Sequence, residues 1–191
     1  FEKAWLVLAQ HYVEIGDIVG ALEILEKAYH KFPDNPEVQS NLAWLLLETK
    51  GAHNRALSLA QAAYESDPDN VGFSDTLGWA YYHGGMYTKA IWILKEALSQ
   101  SPDNGFVQFH LGMSYLGYGD LELADQLLAA ASKSEEVALF RPQLDSGLAE
   151  LADHRASAEG ETLQSSDHQD LLAPPTIDTE DLLDLNDHLT R

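Results

Sequence analysis

The sequence predicts an all-α fold, a solenoid of stacked helix-turn-helix units. Three observations predict it. Small residues recur at a fixed interval, apolar positions follow a period near 3.6, and no stretch alternates in the two-residue rhythm of a strand. Ala21, Ala56, Ala90 and Ala124 stand 34 or 35 residues apart, and Ala28, Ala63, Ala97 and Ala131 repeat those intervals. Ala9, Ala43, Gly78 and Gly112 form a third series of the same period. A solenoid works through a surface, so a catalytic centre is not required.

The copies align at 2–35, 36–70, 71–104 and 105–135. The first half of each carries Leu8, Leu42, Leu77 or Leu111 directly before the small residue. Tyr12, Leu46, Tyr81 and Tyr115 follow three positions later. A glycine turn comes next, at Gly16, Gly51, Gly84–Gly85 and Gly119, where the chain must reverse. The second half holds the two alanines seven apart, with Leu25, Leu94 or Leu128 between them in three of the copies. Pro33, Pro68 and Pro102 end the first three units, and the Asp-Asn after each supplies a cap for the next helix. The second copy has one extra residue, which the Lys50–Asn54 turn absorbs without disturbing either helix.

This pattern resembles the tetratricopeptide repeat (TPR), whose motif runs Trp, Leu, Gly, Tyr, Ala, Phe, Ala, Pro at set offsets. Trp5 takes the opening tryptophan position, and Gln39, Ser74 and Gln108 depart from it. The resemblance implies a right-handed superhelix of about four units. Runs such as Asn41-Leu-Ala-Trp-Leu-Leu and Asp75-Thr-Leu-Gly-Trp-Ala-Tyr look like bacterial members.

After the fourth unit the pattern changes. Leu139, Phe140, Leu144, Leu148 and Leu151 form an apolar stripe, read as a capping helix over about 136–155 with Pro142 as a break or a start. The TPR domain is thus expected over 1–155. The segment 156–191 holds nine Asp or Glu against one Arg, with a Pro174–Pro175 pair, and reads as a largely disordered acidic tail. Within it Ile177, Leu182, Leu183, Leu185 and Leu189 suggest a docking motif, and the pattern allows a short helix over 179–189.

Composition sets further bounds. The 191 residues carry 11 Lys or Arg against 31 Asp or Glu, a net charge of −20. That balance argues against nucleic acid and anionic membranes and favours apolar or basic protein partners. There is no cysteine, so disulfides and thiolate sites are excluded. No apolar run is long enough to span a bilayer. The chain opens at Phe1 inside a repeat, which reads as a piece of a longer protein. Cytoplasmic and bacterial periplasmic locations both stay open.

The resemblance also implies where a partner docks: the concave face, lined by the first helix of each unit. The family's inward positions fall on Leu6, Gln10, Trp44, Glu48, Asp75, Trp79, Tyr82, His83, Phe109 and Met113, with Asn41 beside them. The expected surface is an aromatic and aliphatic stripe edged by acids. The Lys and Arg of the family's carboxylate clamp are absent, so a chaperone-tail function is not expected. Three readings remain. The groove binds an apolar or amphipathic segment of another protein as a scaffold or adaptor. Alternatively, the tail docks into a TPR groove of the same or a neighbouring molecule. In the third, the chain is an accessory domain of a bacterial secretion or polysaccharide-export system. No catalytic motif, cofactor loop or metal ligand set emerges. His83 and His110 are expected to approach one another without a third ligand.

Overall fold

The computed structural model describes residues 2–49, 52–135, 137 and 141–170, and among them nine helices and no strand. Four antiparallel pairs follow the repeat: α1 (Glu2–Glu14) with α2 (Ile18–Lys31), α3 (Pro36–Glu48) with α4 (His53–Ser66), α5 (Val71–His83) with α6 (Tyr87–Gln100), and α7 (Gly105–Tyr118) with α8 (Leu121–Ala131). The last helix, α9, spans Arg141–Asp170. The chain divides into two compact units, Phe1–Leu151 and Ala152–Arg191.

Local chemistry explains the boundaries. Asn35, Asn70 and Asn104 each cap the first helix of the next unit, accepting from the backbone N–H of Val38, Phe73 and Val107 at 2.9, 3.2 and 3.1 Å. The positions that depart from tryptophan have a job of their own. Gln39, Ser74 and Gln108 donate to the carbonyls of Pro33, Pro68 and Pro102 at 2.7, 3.3 and 2.8 Å, tying each helix back to the turn before it. Gly16, Gly85 and Gly119 take positive φ at the intra-unit turns. α3 and α4 have the same lengths as α5 and α6, so the extra residue of the second unit falls in the connection between them.

Close approach defines the core. A Cβ added at Gly78 would lie 2.4 Å from Leu94 Cγ, and one at Gly112 would lie 2.9 Å from Leu128. Leucine opposes glycine in units three and four, whereas the same two places hold Ala43 with Ala60 in unit two and Ala9 with Leu25 in unit one. Leu25, Leu94, Leu128 and the eight recurrent alanines of the second helices are buried. Burial of each leucine contributes about 1.5–3 kcal/mol. The units also stack. Leu42, Leu77 and Leu111 are buried where α2, α4 and α6 pack on the following helix, while Leu8, at the same place in unit one, is 41% exposed.

The first helices also pack on one another, α3 on α5 and α5 on α7, whereas the second helices do not to any comparable extent. The layer of first helices is therefore the tighter one, and it forms the inner, concave side of unit Phe1–Leu151.

The C-terminal helix is described over Arg141–Asp170. It starts at Arg141, with Pro142 in the first turn where its missing N–H costs nothing. It continues past 155 to Asp170, because 156–170 contains Ala, Glu, Leu and Gln, with Gly160 as its single glycine and no proline. Leu144, Gly147 and Leu151 are buried, and Arg141 donates to the Ser132 carbonyl at 3.1 Å. Leu139, Phe140, the proposed 179–189 helix and the tail motif Ile177, Leu182, Leu183, Leu185 and Leu189 lie outside the described residues.

Gly78→Ile forces a branched side chain into Leu94. Urea denaturation is expected to show a loss of about 1–3 kcal/mol, the cost of overpacking a filled core. A change below about 0.5 kcal/mol would show that the helix pair is not held by close approach. Asn70→Ala removes a cap and is expected to cost about 1 kcal/mol.

Candidate functional site

Trp79 is the hub of the concave face. It sits in the middle of α5, and its indole Nε1–H donates to Glu48 Oε1 on α3 at 3.1 Å. Tyr82 stacks on it in parallel, centroids 4.6 Å apart with an interplanar angle of 1°. His110 stacks at 4.1 Å from α7, and His83 meets the ring edge-on at 4.6 Å. His83 and His110 thus both contact one indole. Phe109 adds a tilted contact at 5.7 Å.

This arrangement corrects the expectation of a solvent-facing stripe. Trp79 is 5% exposed and Phe109 1% exposed, and Met113 is buried too. Trp79 and Phe109 form the floor beneath the groove. Met113 is covered by α9: a Cβ on Gly147 would fall 2.5 Å from its sulfur, so the helix rests directly on this side chain. The first part of α9 therefore closes the face over the fourth unit. An inward position on a repeat says which layer a side chain belongs to, but not whether another helix lies over it.

The side chains that keep an accessible edge come from units one to three. Leu6, Trp44, Glu48, Asp75 and Tyr82 are half-buried, and Gln10, Asn41 and His83 are exposed. Asn41 donates to the Glu37 carbonyl at 2.7 Å within α3, and Gln10 donates to Glu14 at 3.3 Å, so both serve their own helices. Between the units, Ser40 donates to Thr76 at 3.0 Å.

The carboxylates are held differently. Asp75 lies 2.8 Å from His110 Nδ1, and as an ionised acceptor it takes the imidazole N–H. Glu48 receives a neutral indole donor, which fixes its orientation without cancelling its charge. Burial, with smaller contributions from Tyr87 and Glu150, pushes the Tyr82 hydroxyl up to about 12. Below His83 a cavity of about 240 Å³ is lined by Leu46, Leu47, His53 and His83. Among the described residues, no three histidine or acidic side chains converge on a metal position. No described helix is long and apolar enough to cross a membrane.

Sequence reasoning missed the Glu48–Trp79 bond and the Asp75–His110 pair. The partners stand 31 and 35 residues apart, close to one repeat, so the period itself was the available signal.

The comparisons agree with this architecture. Models described as tetratricopeptide repeat match residues 2–45 and 51–105. The mouse (Mus musculus) interferon-induced protein with tetratricopeptide repeats 2 is 34% identical over 98 residues, covering 49% of this chain and 20% of that protein. The chain thus spans about a fifth of that relative's length. Among solved structures, a thermophilic TPR protein of Thermus thermophilus is similar with a TM-score of 0.67 and 24% identity, over 93% of this chain and 94% of that one. MamA from Desulfovibrio magneticus is similar at a TM-score of 0.53 and 19% identity, over 91% and 97%. These two likenesses show the fold.

Trp79→Ala is expected to destabilise the chain by about 3–5 kcal/mol in chemical denaturation, since it empties the floor of the groove. A near-neutral result would mean the indole is not packed. Alkaline pH provides a second test. Tyr82 keeps its proton in the folded state while the unfolded tyrosine loses it near pH 10, so stability is expected to fall as pH rises from about 10 toward 12. Tyr82→Phe should flatten that part of the curve, and an unchanged slope would contradict the assignment.

Proposed function

Because the chain belongs to the tetratricopeptide repeat family, we propose that its concave groove docks a segment of another protein that carries apolar side chains beside Lys or Arg. The protein acts as an interaction scaffold or adaptor, and no catalytic role is assigned to it. One observation carries this reading. Glu48 is a charged carboxylate fixed by a neutral donor, next to the half-buried Tyr82 and exposed His83, and no Lys or Arg pairs with it among the described residues. An aromatic surface beside an uncompensated carboxylate attracts a cation and its aliphatic stem together. The acidic rim also makes the chain's own acidic stretch a poor occupant of this groove, which leaves an external basic segment as the better fit.

The test uses a labelled amphipathic Leu/Lys helical peptide and fluorescence anisotropy. Glu48→Lys and Tyr82→Ala are each expected to weaken binding about tenfold or more, while Glu122→Lys, an exposed charge reversal on α8, changes it less than about twofold. Circular dichroism checks that each variant is folded. Equal losses for the two charge reversals, with binding unchanged by Tyr82→Ala, would mean that the peptide is held by net charge alone, and the proposal would fail.

A further inference from the structure

The second helices leave a different pattern on the opposite face. Because they do not pack on one another as the first helices do, grooves open between α4 and α6 and between α6 and α8. Cavities of about 440 and 510 Å³ lie in them. They are the same site one period apart. Leu77, Tyr81 and Ile93 line the first, and Leu111, Tyr115 and Leu127, each 34 residues later, line the second.

The matching place between α2 and α4 is bridged. There Arg55 reaches across to Glu26 through both guanidinium nitrogens and lies over the Tyr29 ring at 5.6 Å. The hydrogen bond to Glu26 raises the Arg55 pKa further. One period on, the equivalents are Lys89 and Gln61, which form no ion pair, and Lys89 lies instead over Tyr81 at 5.5 Å. Two periods on they are Leu123 and Lys95. The bridge is specific to the first junction, and the next two stay open.

The ridge between the open grooves is α6. It presents Lys89, Trp92 and Lys95 at a three-residue spacing, with Trp92 68% exposed. Glu65 is the one carboxylate among the residues lining either cavity. On a chain with 31 acidic and 11 basic residues, this is a local reversal of sign beside apolar walls.

We propose that this convex face is a second docking site, separate from the concave groove, and that its occupant is an acidic amphipathic helix of a partner protein. The lysines face acidic side chains of that helix, and its apolar side chains enter the two cavities. The geometry suits a helix. Leucines seven residues apart lie about 10 Å apart along one face of a helix, so a helix laid across α6 sends apolar side chains to both sides of it. The concave groove, rimmed by Glu48 and Asp75, selects the opposite charge, so the two faces discriminate between partners.

A peptide with the sequence Thr176–Arg191 has this chemistry: five acids, and leucines at 182 and 189. Labelled, it is titrated by anisotropy into the 191-residue chain carrying Leu182→Ser, Leu185→Ser and Leu189→Ser, so that no second source of the same motif is present. Saturable binding is expected, weakened about tenfold or more by Lys89→Glu with Lys95→Glu and about fivefold by Trp92→Ala, and unchanged by Tyr82→Ala. All three substituted side chains of α6 are exposed, so these variants should remain folded. Absence of binding, an affinity indifferent to the lysine reversals, or loss on Tyr82→Ala alone would overturn the proposal. The last outcome would place the peptide in the concave groove.

Discussion

The close approach of two helices within each unit is the constraint on which the structure depends. Gly78 touches Leu94 and Gly112 touches Leu128 at distances that admit no Cβ. At the same place unit two pairs two small residues, Ala43 and Ala60. That contact fixes the rotation of each helix, and with it which side chains enter the seam and which face outward. A dense core cannot absorb an added methyl group without moving its neighbours. The seam therefore sets the phase of every surface in Phe1–Leu151.

The two faces follow from unequal layers. The first helices touch one another, which draws their side together and places Trp79 where Tyr82, His83, Phe109, His110 and Glu48 converge on it. The second helices stand apart, which opens repeated grooves on the far side. Glu48 and Asp75 belong to the inner layer, whereas Lys89 and Lys95 flank Trp92 on the ridge of α6. The helix α9 limits the inner face by resting on Met113 through Gly147, so the accessible groove belongs to units one to three.

Much of the fold was legible because a repeat states its evidence four times. The period located the turns, the asparagine caps and the alanine seam, each a local feature with a local residue preference. Exposure was harder to read. Trp79, Phe109 and Met113 occupy inward positions, yet their burial depends on partners from other units and from α9. Those contacts join residues about one repeat apart with no fixed motif. The stretch 156–170 carries opposed signals. Acidic composition lowered the expected order of 156–170, while the helix propensity of its alanine, glutamate and glutamine residues acts in the other direction. The replacements at the tryptophan position were read as plain departures, although Gln39, Ser74 and Gln108 share a hydrogen bond to the preceding proline carbonyl.

On the proposed reading, a basic amphipathic segment docks on the open part of the inner face, from α1 to α5. The most direct measurement is a map of amide chemical-shift changes in the isotope-labelled chain as an unlabelled Leu/Lys helical peptide is added. The largest changes are expected on Trp44, Glu48, Tyr82 and His83 and their neighbours on α3 and α5. Changes concentrated on α4, α6 and α8, or spread evenly over all acidic surfaces, would contradict that reading.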